Sequence, residues 1–180
     1  MAGTRRAASI PDWPAPDGYR LRIHWDDTDC TKRVYLGKYI KWIDDACTEY
    51  LRQRGMVFDP DGWLSLNGKE LDESFVVGEY TCRIEQTSNF DDVLTVKIGI
   101  KEKRPKVVVF QGDIMDQDGR LVAHGTLTYI YIKRGMPDDR QKPVVSIRSE
   151  TLRCHRPEAV ASSRMKAVEM PKKIYDLMKP

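Results

Sequence analysis

Three carboxylates occupy four successive positions just before a run with helical periodicity. Residues 24–42 read HWDDTDCTKRVYLGKYIKW, and Asp29 is the last of the three acids. A helix N-terminus presents unpaired amides and a partial positive charge, which favour the ionised form of a nearby carboxylate. Such a carboxylate can act as nucleophile or general base, and the amides near Leu36 and Gly37 can hydrogen-bond the oxyanion of an attacked carbonyl. The junction could therefore run acyl transfer without Ser, His or a metal.

The same residues also have a purely structural interpretation. Acidic residues and Thr before a helix are frequently caps, each worth about 0.5–2 kcal/mol. Asp26 and Asp27 fit a structural or solvated role better than a catalytic one. Asp45, on the predicted helix, is a reserve candidate for the base, although helical spacing also allows it to pair with Lys41. Cys47 lies on the apolar face of that helix and is predicted to be a core thiol.

Alternation and helical periodicity define the elements around this junction. The run YRLRIHW, residues 19–25, alternates as a strand does and places Leu21, Ile23 and Trp25 on one face. A helix is predicted over 35–54, and Gly55 is a plausible stop. Its apolar positions recur at steps of three and four: Tyr35, Tyr39, Trp42, Ile43, Ala46, Cys47, Tyr50 and Leu51.

The second half of the chain reads as antiparallel β-structure. Residues 59–72 are predicted to be a loop or a short broken element. The four strand-like runs that follow cover 74–86, 93–101, 106–115 and 120–132. Short junctions, including Asp116–Gly119 with its Asp-Gly pair, predict antiparallel neighbours. One early helix and a run of antiparallel strands indicate an α+β fold in which the helix covers the sheet, and dimerisation would bury a bare sheet edge.

The length of 180 residues predicts one domain flanked by extensions. Residues 1–18 are rich in proline and are predicted to form an arm without regular structure. The predicted domain spans 19–135. Residues 136–180 form a basic, partly helical extension, with short helices predicted at 158–169 and 171–179. Residues 140–180 hold ten Lys and Arg against four Asp and Glu. The extension could bind an acidic carrier protein, or it could simply be solvated.

Composition argues against several classes of protein. The net charge of +3 is small, and no aromatic-basic interleaving favours nucleic acid. The four cysteines include no C-x-x-C pair, so we expect no zinc or other metal site and a reducing, cytoplasmic location. No apolar run approaches the roughly 18 residues of a membrane-spanning helix. No apolar segment follows Arg5 and Arg6, so a secretory signal is not predicted.

At this point the chain resembles a known family. The run WDDTDCTKRVYLGKYIKWIDDACTEYLRQRG is similar to the start of the hotdog-fold 4-hydroxybenzoyl-CoA thioesterase family, which shows D-x-G-x-V-Y-x-x-Y-x-x-W before its central helix. The similarity continues into NFDDVLTVKIGI and DQDGRLVAHGTLTYIYI, so it covers about residues 20–133. It implies a long central helix wrapped by a curved antiparallel sheet of about five strands. It also implies a homodimer, possibly a tetramer, that hydrolyses acyl-CoA, aroyl-CoA or acyl-carrier-protein thioesters to the free acid.

The resemblance also assigns roles to residues of this chain. Asp29 would be the nucleophile or general base, and the backbone amides of Leu36 and Gly37 would hold the thioester oxygen. Coenzyme A would enter as part of the substrate rather than as a cofactor, at a site on the subunit interface. The basic turn formed by Lys101, Lys103, Arg104 and Lys106 would suit its phosphates, although the residues could also form a solvated hairpin turn. The substrate-binding candidates are Tyr35, Ser88, Asn89, Phe90, Lys103, Arg104 and Lys106.

Two departures from the family pattern stand beside Asp29. The run Thr31-Lys32-Arg33 replaces the usual glycine, and Leu36 stands where one subgroup carries a His. Either Asp29 works without a His partner, or the chain keeps the fold as a non-hydrolytic protein that binds acyl thioesters or serves in an assembly. Lys32 and Arg33 could also serve a polyanionic thioester.

Overall fold

One long helix and an antiparallel sheet dominate the computed structural model, which describes residues 18–134 and 165–178. The sheet order is β1-β6-β7-β8-β5, and β9 adds to one end of β8. A second, small sheet has the order β2-β3-β4. The helices are α1 (Leu36–Arg52) and α2 (Lys172–Leu177), and the strands are β1 (Tyr19–Arg22), β2 (Met56–Phe58), β3 (Leu64–Leu66), β4 (Lys69–Glu70), β5 (Glu73–Ile84), β6 (Val93–Arg104), β7 (Val107–Met115), β8 (Leu121–Lys133) and β9 (Lys166–Ala167).

Helix α1 forms the centre of the core, as its periodicity predicts. Its buried residues recur at three- and four-residue steps: Tyr39, Trp42, Ile43, Ala46, Cys47 and Leu51. Tyr35, predicted on the same face, instead precedes the helix as its N-cap and is 52% exposed. The helix ends ahead of Gly55, whose φ of +77° favours glycine and whose Cβ would overlap the side chain of Asn67.

The main sheet curves around α1. Bulges interrupt the register of β5 near Val77 and of β6 near Ile100. Bulges bend a strand and increase its twist, which helps the sheet wrap the helix. Gly112 on β7 permits the close approach, because a Cβ there would lie 2.7 Å from the Ile43 side chain. The α+β architecture with one central helix and an antiparallel sheet of five main strands is confirmed.

The first strand ends earlier than its alternation predicts. Leu21 and Ile23 are buried as expected, but the placement of Trp25 on the same face is wrong, because it is 63% exposed. A 3₁₀ turn at Trp25–Asp27 replaces the strand there. The carboxylate of Asp27 accepts the His24 N–H at 2.8 Å, and the Thr28 hydroxyl donates to the Trp25 carbonyl at 2.8 Å. These local bonds compete with strand geometry.

The predictions after α1 and at the C-terminus have different outcomes. Residues 59–72, predicted to be a loop or a short broken element, hold the short strands β3 and β4, which pair with β2 in the small sheet. Lys166–Ala167 is a strand where a helix over 158–169 was predicted. It forms because β7 pairs with β8 only as far as Ile130, which leaves Ile132 open for β9. Residues 158–164 of that predicted helix, the arm at 1–17 and the segment 135–157 lie outside the described residues.

No helix within residues 18–134 and 165–178 is long and apolar enough to cross a membrane.

Candidate active site

Asp29 lies at the tip of a small hairpin that leads directly into α1. Its N–H donates to the Arg33 carbonyl at 2.9 Å, and its own carbonyl accepts the Lys32 N–H at 2.9 Å. The next hydrogen bond, two residues further from the tip on both arms, runs from the Tyr35 N–H to the Asp27 carbonyl at 3.0 Å. The hairpin therefore fixes Asp29 relative to the first residue of the helix.

The turn keeps a glycine-like conformation without a glycine. Lys32 has φ +64°, in the left-handed region that glycine occupies without steric cost. For a lysine this conformation costs about 1 kcal/mol, which the two hydrogen bonds across the turn offset. The replacement of the usual glycine by Thr31-Lys32-Arg33 therefore does not prevent the turn from forming. It does add the cationic side chain of Lys32 close to Asp29 in the sequence.

The Asp29 carboxylate is held in its ionised form by the turn itself. Its Oδ1 accepts the Thr31 hydroxyl at 2.5 Å and the Thr31 N–H at 2.7 Å. These bonds, with a smaller contribution from Arg33, lower the pKa of Asp29 below the ordinary value. A carboxylate has about four acceptor sites, so these contacts leave capacity for an incoming group.

The N-terminus of α1 is left without a cap. Tyr35 occupies the N-cap position and makes no side-chain cap hydrogen bond, and the first turn holds no acidic residue. Among the described residues, nothing accepts a hydrogen bond from the amides of Leu36 or Gly37. A Cβ placed on Gly37 would meet no atom of another segment within 4 Å, so nothing packs against the side-chain face of this position. Two donors with a helix dipole behind them are therefore available to an oxyanion.

Asp29 and the start of α1 are close in the fold as well as in the sequence. Asp29 and Tyr35 lie two residue pairs apart along the hairpin, or about 7 Å at the rise of an extended chain. The Asp29 carboxylate and the first amides of α1 therefore belong to one junction.

Asp27 is bound on both oxygens and has a structural role. Its Oδ2 accepts the His24 N–H, and its Oδ1 lies 2.7 Å from the Lys38 ammonium. Burial acts to raise the pKa of Asp27, but Lys38 and His24 outweigh it and lower the pKa. One ligand atom each from His24, Asp26 and Asp27 lies within 4.8 Å of the others, yet the oxygens of Asp27 already have these partners.

Asp45 is held in an exposed ion pair. Both of its carboxylate oxygens contact the Lys41 ammonium, at 2.9 and 2.6 Å. This is the helical-spacing pair that the sequence offered as the alternative to a catalytic role. The geometry gives no support to Asp45 as the base.

The turn at Ser88–Phe90 lies directly against the hairpin. The Val34 N–H donates to the Ser88 carbonyl at 3.2 Å, and the Phe90 N–H donates to the Lys32 carbonyl at 3.3 Å. Three of the predicted substrate-binding residues, Ser88, Asn89 and Phe90, are therefore brought beside Asp29. Of these, Ser88 is buried and Phe90 is exposed.

An exposed apolar surface surrounds the junction. Trp25 packs edge-on against Phe90, with ring centroids 5.6 Å apart. Tyr35 and Leu36, at the start of α1, are also 52% and 75% exposed. Exposed apolar side chains near one another in the fold are typical of a ligand or interface surface. Trp25 was missed as a site residue, although the acidic Asp27 three positions after His24 is a capping-box pattern that signals a turn.

The basic turn lies at the other end of the molecule from Asp29. Lys103 donates to the carbonyls of Tyr175 and Met178 at 3.0 and 2.8 Å. Arg104 pairs with Glu102 at 2.6 Å, and Lys106 is exposed. The twelve residues of β6 separate this turn from the 88–92 turn, roughly 35 Å along the strand. Within one chain, the structure does not bring these candidates to Asp29.

Comparison with known proteins identifies the fold. No protein-family model matches the chain, and no curated protein matches its sequence. The structure is similar to that of BH1999 gentisyl-coenzyme A thioesterase, with 25% identity and a TM-score of 0.52 over 63% of this chain and 85% of that one. A variant of 4-hydroxybenzoyl CoA thioesterase, complexed with 4-hydroxybenzoyl CoA, is 19% identical with a TM-score of 0.57 over 89% and 96% of the two chains. A hypothetical protein from Aquifex aeolicus is 18% identical, with a TM-score of 0.63 over 89% and 98%. The predicted resemblance is confirmed, and the chain is a hotdog-fold protein of the structural class that includes 4-hydroxybenzoyl-CoA thioesterase.

Proposed function

We propose that this chain is a thioester hydrolase that cleaves acyl-CoA, aroyl-CoA or acyl-carrier-protein thioesters to the free acid. The observation that carries the proposal is the junction at the start of α1, where an ionised Asp29 precedes the Leu36 and Gly37 amides, which have no partner within residues 18–134 and 165–178. The likeness to structures of two CoA thioesterases supports the same reaction class.

Asp29 can act as the nucleophile or as the general base, and the hydrogen bonds that lower its pKa keep the carboxylate ionised for either role. The nucleophilic route has two steps. In the first step, an Asp29 oxygen bonds to the thioester carbon, the C–S bond breaks, and the thiolate leaves and takes a proton from solvent. In the second step, water cleaves the resulting mixed anhydride, which releases the acid and restores the carboxylate. Neither step requires the His that Leu36 replaces.

The open edge of β5 supports the proposal that the active form is a homodimer. β5 ends the sheet order, and its Val77 and Tyr80 are 45% and 62% exposed. Pairing of two copies along this edge would satisfy its backbone groups and cover these side chains. A second copy would also supply further walls for a thioester at the Asp29 junction. A cytoplasmic location stays a prediction from the sequence.

Thiol release from a panel of acyl-CoA, aroyl-CoA and carrier-protein thioesters tests the proposal. We expect Asp29→Asn to lower kcat/KM by about 1,000-fold or more, because the nucleophile is lost while the bonds from Thr31 can still form. Asp118→Asn, which changes an exposed acid in the β7–β8 turn, is the matched control and should retain the wild-type rate.

Two results would contradict the proposal. A full rate in Asp29→Asn would show that Asp29 only shapes the turn. A wild-type protein that binds thioesters but releases no thiol from any of them would support the non-hydrolytic alternative, which the departures from the family pattern at Thr31-Lys32-Arg33 and Leu36 favour.

A further inference from the structure

The hydroxyl of Thr31 makes a short hydrogen bond to the Asp29 carboxylate. Its oxygen lies 2.5 Å from Asp29 Oδ1, and the Thr31 N–H donates to the same oxygen at 2.7 Å. A carboxylate oxygen has about two acceptor sites, so these two bonds occupy Oδ1. Neither bond uses Oδ2, which is therefore the oxygen with more capacity for an incoming group.

The turn around Thr31 is held on both sides. Within the hairpin, the Lys32 N–H donates to the Asp29 carbonyl and the Asp29 N–H donates to the Arg33 carbonyl, each at 2.9 Å. On the outer side, Arg33 pairs with Asn89 in an antiparallel bridge. Thr31 is also β-branched, so its side chain has few rotamers. The main chain therefore places the Thr31 hydroxyl at the Asp29 carboxylate and gives it little freedom to leave.

The Asp29 carboxylate depends on Thr31 for a fixed orientation. Asp29 is half-buried on the turn, and Arg33 contributes less to its ionised state than Thr31 does. A carboxylate on such a turn can rotate about its side-chain bonds, and only some orientations direct an oxygen towards a carbonyl near the α1 amides. Holding a reacting group in one orientation raises the rate of the chemical step without requiring tighter substrate binding.

The same two bonds also have an electrostatic effect, which acts on the rate in the opposite direction. They stabilise the ionised carboxylate and so lower the pKa of Asp29. A lower pKa makes a carboxylate a weaker base and nucleophile. If the bonds acted through the pKa alone, their loss would leave the rate at neutral pH unchanged or higher. If they orient the carboxylate, their loss lowers the rate.

We propose that Thr31 is a positioning residue, whose hydroxyl and N–H hold Oδ1 of Asp29 so that Oδ2 is the oxygen that reacts. The inference rests on the proposed hydrolysis and applies whether Asp29 acts as nucleophile or as general base. It gives a function to one residue of the run Thr31-Lys32-Arg33, where the sequence departs from the family pattern. Because Leu36 stands where one subgroup carries a His, the contact that orients Asp29 comes from within its own turn.

Single-turnover thiol release by the full-length protein, with enzyme in excess over thioester, tests the proposal because it separates binding from chemistry. Thr31→Val removes the hydroxyl with little change of shape, and Thr31→Ser keeps it. We expect Thr31→Val to lower the saturated rate constant about tenfold, because one hydrogen bond to a charged group is lost. The half-saturating enzyme concentration should stay nearly unchanged, and Thr31→Ser should retain most of the wild-type rate.

Carbon-13 NMR titration of the Asp29 carboxyl group gives a second readout. Its pKa should rise in Thr31→Val, because the lost bond favours the ionised form. Thr126→Val is the matched control, since it removes a Thr hydroxyl that lies 2.8 Å from the Thr81 hydroxyl on the main sheet. It should keep the wild-type rate and the wild-type pKa of Asp29.

Three outcomes would overturn the assignment. If Asp29→Asn is inactive while Thr31→Val keeps the wild-type rate constant, Asp29 needs no positioning by Thr31, and the proposed hydrolysis still stands. A Thr31→Ser rate as low as that of Thr31→Val, or weaker thioester binding in Thr31→Val with displaced amide signals over residues 29–35, would show that Thr31 only shapes the turn. If the wild type releases no thiol from any thioester, the proposed function fails and the positioning role fails with it.

Discussion

The two ends of α1 differ in what covers them. At the N-terminal end, the Leu36 and Gly37 amides lack partners among the described residues, and an exposed apolar surface surrounds them. At the C-terminal end, the C-terminal segment, residues 165–178, packs against the helix, and Arg54 donates to the Leu177 carbonyl at 3.2 Å. Ile174 and Met178 of this segment are almost fully buried. The same helix thus has one end open to ligands and one end closed by its own chain.

The difference shows where this chain stabilises its fold and where it leaves groups available for chemistry. Burial of apolar surface contributes roughly 25 cal/mol per Å², so the covered end contributes stability. Unpaired amides and exposed aromatic side chains contribute little to stability, and functional sites are commonly drawn from such regions. Substitutions at the covered end should therefore change the free energy of unfolding, and those at the open end should change activity.

The largest expected effect on stability is at the covered end. Ile174→Ala removes a side chain that is 2% exposed and should lower the free energy of unfolding by about 2–4 kcal/mol. Leu36→Ala, the matched change at the open end, removes a side chain that is 75% exposed and should change it by less than about 0.5 kcal/mol. Urea unfolding measures both, and equal losses would contradict the contrast between the two ends.

An intermediate effect is expected from the lysine that holds α2. Lys103→Met loses the hydrogen bonds to two carbonyls and the contact of the ammonium with the Tyr175 ring, 3.9 Å from its centroid. We expect a loss of about 1–2 kcal/mol in the free energy of unfolding. Arg104→Met, which breaks only an exposed pair with Glu102, should cost less than about 0.5 kcal/mol. If Arg104→Met cost as much, the basic turn would not act through α2.

The smallest effect is expected from the ion pair at the open end. Lys38→Met removes the partner of Asp27 and, at neutral pH, should cost about 0.5 kcal/mol after solvent screening. The pKa of Asp27 is lowered in the fold, so this contribution is complete above the ordinary carboxylate value of about 4 and is lost as the pH falls through the lower folded value. The pKa of Lys38 is raised, so the contribution is also lost at high pH.

Urea unfolding from acidic to neutral pH checks this dependence, with Lys41→Met as the control. Lys41 belongs to the more exposed pair with Asp45 and should give a smaller and flatter difference. A Lys38→Met loss that persisted at the acid end would show that Lys38 acts by packing rather than by charge.

Periodicity predicted the elements that carry most of the core. The predicted helix 35–54 is Leu36–Arg52, and the four strand runs correspond to the long strands β5 to β8. These predictions succeed because the buried face of a helix or strand repeats with the period of that element. The repeat is visible in the sequence alone. Asp29 and the Leu36 and Gly37 amides were predicted together because they are close in sequence, and the structure leaves them on one junction.

The errors involve bonds that periodicity does not display. Trp25 was placed on a strand because the alternation YRLRIHW continues to it, whereas the Asp27 carboxylate closes a turn there. Lys103 was predicted to bind substrate together with its charged neighbours in the basic turn. Its partners in the structure lie 72 and 75 positions further along the chain. Contacts at such separation depend on where the C-terminal segment docks.

The sequence by itself determined the central helix, the antiparallel strands, the hotdog resemblance and the acid that precedes the helix. Each follows from residues near one another in the chain, whose spacing sets which face is apolar and which groups meet at a turn. Only the tertiary structure decided that Trp25 is exposed beside Phe90, that Lys103 holds α2, and that the buried Tyr131 hydroxyl has no partner in the part of the chain that the structure describes. Those outcomes depend on packing between distant segments, where geometry in three dimensions, rather than local pattern, selects the contacts.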